Sequence, residues 1–342
     1  MLSQALVAFT IELDNEFEHR MPHRTTREGA KRGPWLGSLV LWSNCLQYVE
    51  PDGVTVTQLA RVAGARTNLA GMQRWGYITL EPADGEEIIR PTEAGRRARE
   101  VWGPLLQEIE GRWRKRFGQD RVGHLRSSLA AVVGEFDRGL PDGLPILAHG
   151  LHSKVDEREP GADPATERSL PALLSQALLG FALPFEQRAS LALAISANVV
   201  RVLGEEPVRP ADVTRRSGVS IESVRMAVGY LEKRDYISVQ EAGGGARGKA
   251  VALTEQGLRA RGAYVKLLAA IERRWREEFG AQTVARLRSE LEELAREDGG
   301  GRPRLFAGLE PYPDGWRAKV RRPETLPHYP MVLHRGGYPD GS

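Results

Sequence analysis

The chain repeats itself. Thr92-Glu93-Ala94-Gly95 opens a stretch that runs through Ile109-Glu110, Arg112-Trp113-Arg114 and Phe117-Gly118 to Leu129. Thr254-Glu255-Gln256-Gly257 opens its match, through Ile271-Glu272, Arg274-Trp275-Arg276 and Phe279-Gly280 to Leu291. Matched residues stand 162 positions apart (254 − 92) without a gap, and 20 of the 38 aligned positions are identical. Leu2-Ser3-Gln4-Ala5-Leu6 returns as Leu174-Ser175-Gln176-Ala177-Leu178, offset by 172 (174 − 2), so the duplication begins at the first residues. An internal repeat constrains architecture more than any composition can, because each copy has to be one structural unit. The chain divides into a first copy over 1–160, a second over 165–300, and a Pro- and Gly-rich tail over 301–342.

The length of 342 residues, with 41% hydrophobic and 27% charged side chains, suits two ordinary globular cores. Net charge is only +3, so any basic footprint has to be local. A single cysteine, Cys45, excludes an intrachain disulfide and suits a cytoplasmic setting. It aligns with Val199, which favours a buried apolar place over a redox-active thiol. The apolar patch over 6–11 has no basic flank and is soon followed by Glu12 and Asp14, so neither an export signal nor a membrane segment is expected.

Taken in order, Leu2, Leu6, Phe9, Leu13 and Phe17 have helical spacing and predict an opening amphipathic helix. Residues 21–34 read as a polar loop, and 39–49 and 193–203 as matching helices in which Asn44 aligns with Asn198. In the second copy Pro210 to Arg216 predicts a short helix, Ser217-Gly218-Val219 a tight turn, and Ser220 the N-cap of a helix carrying Ile221, Val224, Val228 and Leu231 on one face. Two short helices about a glycine turn make a helix-turn-helix, whose second member reads a DNA groove. Strand-like 236–239 and 250–253, linked by glycine-rich 243–249, add a wing.

The first copy departs at that place. Gly64 to Tyr77 spans 13 residues where Gly218 to Tyr236 spans 18, which shortens its reading helix and leaves Gly71 in the middle. A mid-helix glycine costs about 1 kcal/mol against alanine. Its wing tip, Asp84-Gly85-Glu86-Glu87, is acidic where the second copy offers Arg247 and Lys249. Residues 139–161 read as a linker. The tail carries Trp316, Tyr329, Met331 and Leu333, which predicts that it packs in extended form against the body, and 145–149 echoes in 330–334.

Gly243 to Lys249 matches much of two phosphate-loop patterns, but a strand follows it where a helix should, and Ala250 lacks the hydroxyl for magnesium. A basic wing is the better reading. His19, His23, His328 and His334 lack partners at metal spacing, and no nucleophile elbow or cofactor fingerprint appears, so no enzyme, metal or cofactor is expected. The repeated Arg-Trp-Arg lies in a stripe of Leu105, Ile109, Trp113 and Phe117, which predicts that Trp113 and Trp275 are buried and serve the junction of the copies.

The order of one leading helix, a helix-turn-helix, a wing, and then Leu253-Thr254-Glu255-Gln256-Gly257 opening a long helix resembles the MarR-type winged-helix regulators; Pro91 to Gly95 matches it in the first copy. The resemblance implies a mainly α fold: two tandem winged helix-turn-helix domains with long packing helices, small β-wings and an extended C-terminal tail. It also implies units joined through their first and last helices, with a small-molecule pocket near that junction. Here two such units share one chain, as a monomeric pseudo-dimer or within a homodimer. The expected function is a transcriptional regulator on double-stranded DNA, open to a small-molecule effector. Ser220, Glu222, Ser223 and Arg225 are candidates for base edges or adjacent phosphates, Arg215, Arg216 and Lys233 for phosphate, and Arg247 and Lys249 for the wing. Arg61, Arg66 and Arg74 are the weaker set in the first copy. The alternative is a sensor or scaffold that turns the same surfaces to protein contacts.

Overall fold

The computed structural model describes residues 1–23, 33–65, 67–83, 85–136, 139–144, 167–241, 248–297, 303–319 and 324–330. Its first half runs α1 (Leu2–Arg20), α2 (Leu39–Asn44), β1 (Val54–Thr55), α3 (Val56–Ala63), α4 (Leu69–Arg74), β2 (Ile78–Ala83), β3 (Glu86–Pro91), α5 (Glu93–Phe117) and α6 (Gln119–Gly134). The second runs α7 (Leu170–Arg188), α8 (Leu193–Val202), α9 (Pro210–Ser217), α10 (Ile221–Glu232), β4 (Ile237–Glu241), β5 (Lys249–Leu253), α11 (Glu255–Phe279) and α12 (Ala281–Ala295). The protein is mainly helical with two small antiparallel sheets. Residues 24–32 and 145–166 lie outside the described residues, so the loop at 21–34 and the linker are seen only at their edges.

The repeated Thr-Glu-x-Gly shows why the halves share a plan. Thr92 caps α5 by accepting from the Gly95 amide at 3.1 Å, and donates its hydroxyl back to the Gly76 carbonyl at 2.7 Å. Thr254 does the same with Gly257 at 3.2 Å and Asp235 at 2.7 Å. One hydroxyl thus satisfies an orphan helix amide and fixes the strand entry. The glycine at the fourth position is obligatory: a Cβ at Gly95 or Gly257 would lie 2.1 Å from the carbonyl oxygen of Tyr77 or Tyr236. Each half therefore presses its long helix onto the backbone that leads into its hairpin.

In the first half β1 pairs with β3 (Val54 opposite Ile89), giving the sheet order β1-β3-β2. The second half keeps only an isolated bridge there, Val208 with Val251, beside the β4–β5 pair. No periodicity announced that third element, because it is at most two residues long.

The halves join through their ends. α1 packs on α7, and α6 on α12 and α7. Between α6 and α12, Arg121 lies 3.0 Å from Glu293 and His124 lies 3.7 Å from Glu290. Trp275 reaches across to Phe136 of the first half, with ring centroids 6.2 Å apart. Trp113 does not. It is buried among Phe9 and Phe117, and its indole donates to Glu12 at 3.1 Å, all within its own half. Burial of both tryptophans follows the stripe, but the stripe alone could not say which neighbour each would meet.

α1 departs from the amphipathic expectation: it is buried almost all round. Its acidic face is covered by arginines and by the tail. Glu12 takes Arg116 at 2.9 and 3.0 Å, and Glu16 takes Arg112 at 2.7 Å and the Tyr312 hydroxyl at 2.7 Å. Arg317 is wholly buried between Glu18 at 3.3 Å and Asp14 at 3.5 Å. A buried carboxylate is tolerable only with such partners. The remaining desolvation raises Asp14 to about 7. The tail packs on the body through two short 3-10 turns, Arg304–Gly308 and Trp316–Lys319, where one extended run was expected. Cys45 is buried, and burial pushes its thiol up to about 12.

Among the described residues no single helix is long and apolar enough to cross a membrane; α7 and α8 are apolar enough only together, and they bend by 82°.

Candidate nucleic-acid interface

The candidate surface starts from a turn. α9 ends at Ser217, and Gly218 follows at φ +77°, a left-handed conformation that glycine adopts without strain. Ser220 then accepts from the Ser223 amide at 3.0 Å and caps α10. Val213, Val224, Ala227 and Leu231 are buried, which docks α9 and α10 on each other and on α8. Asp235, at φ +59°, turns the chain from α10 into β4, a conformation Asp tolerates better than most side chains. The β4–β5 hairpin runs from Ile237 opposite Leu253 to Glu241 opposite Lys249.

That docking leaves one face of α10 bare. The side chains of Arg225 and Glu222 are 72% and 62% exposed, and Met226 beside them is half exposed. Arg215, Arg216, Lys233 and Lys249 are exposed around this face, and Ser223 is partly so. Arg225 pairs with Glu222 at 3.4 Å, and Arg215 pairs with Asp212. Exposed pairs of this kind are worth only about 0.3–0.5 kcal/mol, so either arginine can turn to a phosphate at small cost. Ser220 is the exception among the sequence candidates. It is buried, its oxygen is occupied by the cap and by the Ser223 hydroxyl at 3.0 Å, and its place is beneath the surface of α10. Arg247 lies outside the described residues, as does Arg66.

The first half offers less. α4 has six residues where α10 has twelve. Its cap is Asn68, which accepts from the Gly71 amide at 2.9 Å. Gly71, read from sequence as a plain weakness, has a structural reason: a Cβ there would lie 2.8 Å from the Asn68 side-chain nitrogen. Arg61 and Arg74 are exposed, but the neighbouring hairpin carries Glu81, Glu86 and Glu87, all exposed; Asp84 is outside the described residues. Glu81 also holds Arg90 at 3.0 Å.

Sequence reading missed what holds the second-half turn from behind. Arg201 of α8 donates to the Arg216 carbonyl at 2.9 Å, and burial lowers its pKa. His328 of the tail is exposed but lies near Arg201 and the amino terminus; desolvation first, then those charges, hold its imidazole below the ordinary value. A cavity of about 280 Å³ opens between α1, α7, α11, α12 and residues 328–330. The aligned pair Asn44 and Asn198 was the available signal, without any hint of its partners.

Among the described residues no group of three or more His, Cys, Asp or Glu is placed to hold a metal ion. No family model matches the chain, and none of the curated proteins matches its sequence.

Proposed function

We propose that this protein is a DNA-binding transcriptional regulator of MarR-like type: two winged helix-turn-helix units in one chain, joined as a pseudo-dimer and responsive to a small molecule. The observation that carries this reading is the α9–Gly218–α10 turn followed by the β4–β5 hairpin, with an exposed face on α10 that carries Arg225 and with Arg215, Arg216, Lys233 and Lys249 exposed on the elements that flank it. A twelve-residue helix, about 18 Å long, fits a major groove. Coupling through α1, α7, α6 and α12 is what a two-unit reader needs, since it fixes the spacing of the two surfaces. The second half leads, and the first adds less because its hairpin is acidic and its helix short.

The test is binding of the full chain to duplex fragments selected from a genomic pool, titrated at two salt concentrations. The reading expects affinity to fall with salt by about 0.9 log unit per log unit of salt for each phosphate neutralised. A chain that binds no duplex in a salt-dependent way is not this regulator. The short α4 beside three exposed glutamates supports a second reading, in which the first-half surface serves a protein partner. Capture of one defined protein, with no duplex selected, would favour that scaffold.

A further inference from the structure

The two halves leave their last helices by exits of different length. Asn44 donates to the Leu144 carbonyl at 2.9 Å, and its counterpart Asn198 donates to the Tyr329 carbonyl at 3.1 Å, so Leu144 and Tyr329 occupy matching places. They stand 185 positions apart (329 − 144), whereas the repeat that runs into α6 and α12 is offset by 162. The second exit therefore carries 23 extra residues (185 − 162).

That insert docks on the first half. Its turn Arg304–Gly308 packs on α1 and α12 with Leu305 and Phe306 buried. Arg304 donates to the Arg116 carbonyl and lies over the Phe117 ring, 5.3 Å from the centroid. Gly308 comes so near the Glu12–Arg116 pair that a Cβ there would lie 2.1 Å from the Glu12 carboxylate. Tyr312 and Arg317 then cover Glu16, Asp14 and Glu18.

The second half has the matching groove and no insert. Pro184, Glu278 and Phe279 are the counterparts of Glu12, Arg116 and Phe117. With Phe136, Arg274 and Trp275 they line a cleft of about 360 Å³ between α7, α11 and the end of α6. Among the described residues no segment covers it, and Phe279 is only half-buried where Phe117 is buried. The cleft uses a different face of α7 from the 280 Å³ cavity, which is walled by Leu178, Phe181 and Phe185.

Two substitutions between the copies say what fits. α7 carries Pro184, Arg188 and Ser190 in the places of Glu12, Glu16 and Glu18, so three of the four acids under the insert are gone. The part of the insert that holds Tyr312 and Arg317 has no bed there. Glu278, in contrast, puts an exposed carboxylate beside Phe279, where the first half has Arg116. It holds Arg274 at 2.6 Å, and such an exposed pair yields at small cost. An arginine laid on the Phe279 face would gain both the ring and the acid.

We propose that the cleft between α6, α7 and α11 is a docking groove for a partner protein, which inserts a short turn made of an arginine followed by a leucine-phenylalanine pair. This is the chemistry with which Arg304–Gly308 fills the sister groove. The apolar pair supplies the buried area, and the arginine lies over Phe279 beside Glu278. The surface does not depend on DNA binding.

The probe is a dye-labelled peptide of residues 303–310, titrated into the full chain and followed by fluorescence anisotropy. One saturating site per chain is expected. Glu278→Arg should weaken binding at least about tenfold, equivalent to about 1.4 kcal/mol. A peptide with Arg304→Glu should bind the wild type poorly and recover on Glu278→Arg, which a general disturbance of the fold would not produce. Phe279→Ala should weaken the unsubstituted peptide as well. Absence of a saturable site overturns the groove. So does binding that neither chain variant weakens, which would put the peptide in the first half in exchange with the chain's own insert. Sedimentation velocity of the chain alone is the last arm: a dimer that Glu278→Arg splits would make a second copy the occupant and overturn the partner.

Discussion

The two halves spend their identical residues in one place and their differences in another. α5 and α11 are each 25 residues long, capped by the same threonine and pressed by the same glycine onto the strand entry. α4 and α10 differ twofold in length, and the hairpins beside them differ in charge. Where a side chain must fit another part of the same molecule, both copies are held to one solution. Where it faces solvent, nothing inside the fold holds it, and the copies are free to meet different partners. The buried first helices are the exception, reaching burial by different chemistry: α7 fills its surroundings with leucine and phenylalanine, while α1 buries four carboxylates and needs Arg112, Arg116 and Arg317 to do so.

The comparison can be broken first at its tryptophans. Truncating a buried Trp to Ala costs about 3–5 kcal/mol. Trp113→Ala should sit at the upper end, because it also strips a hydrogen bond from buried Glu12, and Trp275→Ala at the lower end. Denaturant midpoints in one buffer decide it; a larger loss for Trp275 would mean that the junction outweighs the first core.

Gly218→Ala comes next. A left-handed alanine costs about 1–2 kcal/mol, and here the new Cβ must also displace the tail backbone over 325–327. Gly64→Ala, at the matching left-handed turn of the first half (φ +62°, ψ +18°), is the comparison for the backbone part. Equal losses in thermal melts would show that the tail yields without cost.

On DNA, Arg225→Ala should cost about 1–3 kcal/mol of binding, and Lys249→Ala should lower the salt slope by about one counterion. Arg74→Ala should lose less than either, because the glutamates of its neighbouring hairpin already repel phosphate. If the Arg74 variant loses as much as the Arg225 variant on the same fragment, the two readers are equal partners.

The smallest effect is a pH dependence confined to the tail. His328 is exposed, yet partial desolvation and the nearby Arg201 and amino terminus hold its imidazole below the ordinary 6.5, so just beneath that value the unfolded chain holds more proton than the folded chain does. Stability is therefore full above about 6.5 and falls as pH drops below it. Chemical denaturation of His328→Asn against wild type at pH 7 and pH 5 should show the smaller drop in the variant. Equal drops would place the acid sensitivity elsewhere, with His23 the next group to examine, since burial depresses it to about 4.

The sequence by itself determined the duplication, the long helices, the Ser220 cap, the glycine turn and the shorter α4. All of these rest on local rules: a repeat read by identity, a stripe read by period, a cap read by its oxygen and a turn read by its glycine. It also marked Arg225, Lys249 and Arg74 as candidates for a surface that meets DNA, and they are exposed. Only the tertiary structure decided the rest. That Ser220 lies beneath the surface, that Trp113 keeps to its own half, and that α1 can bury its acids depend on residues up to about 300 positions away, as Arg317 is from Asp14. Asn44 and Asn198 were visible as a matched pair, but an amide in a sequence does not say which carbonyl it will meet. Contacts between distant segments carry no period, because they are set by the shape into which the whole chain closes.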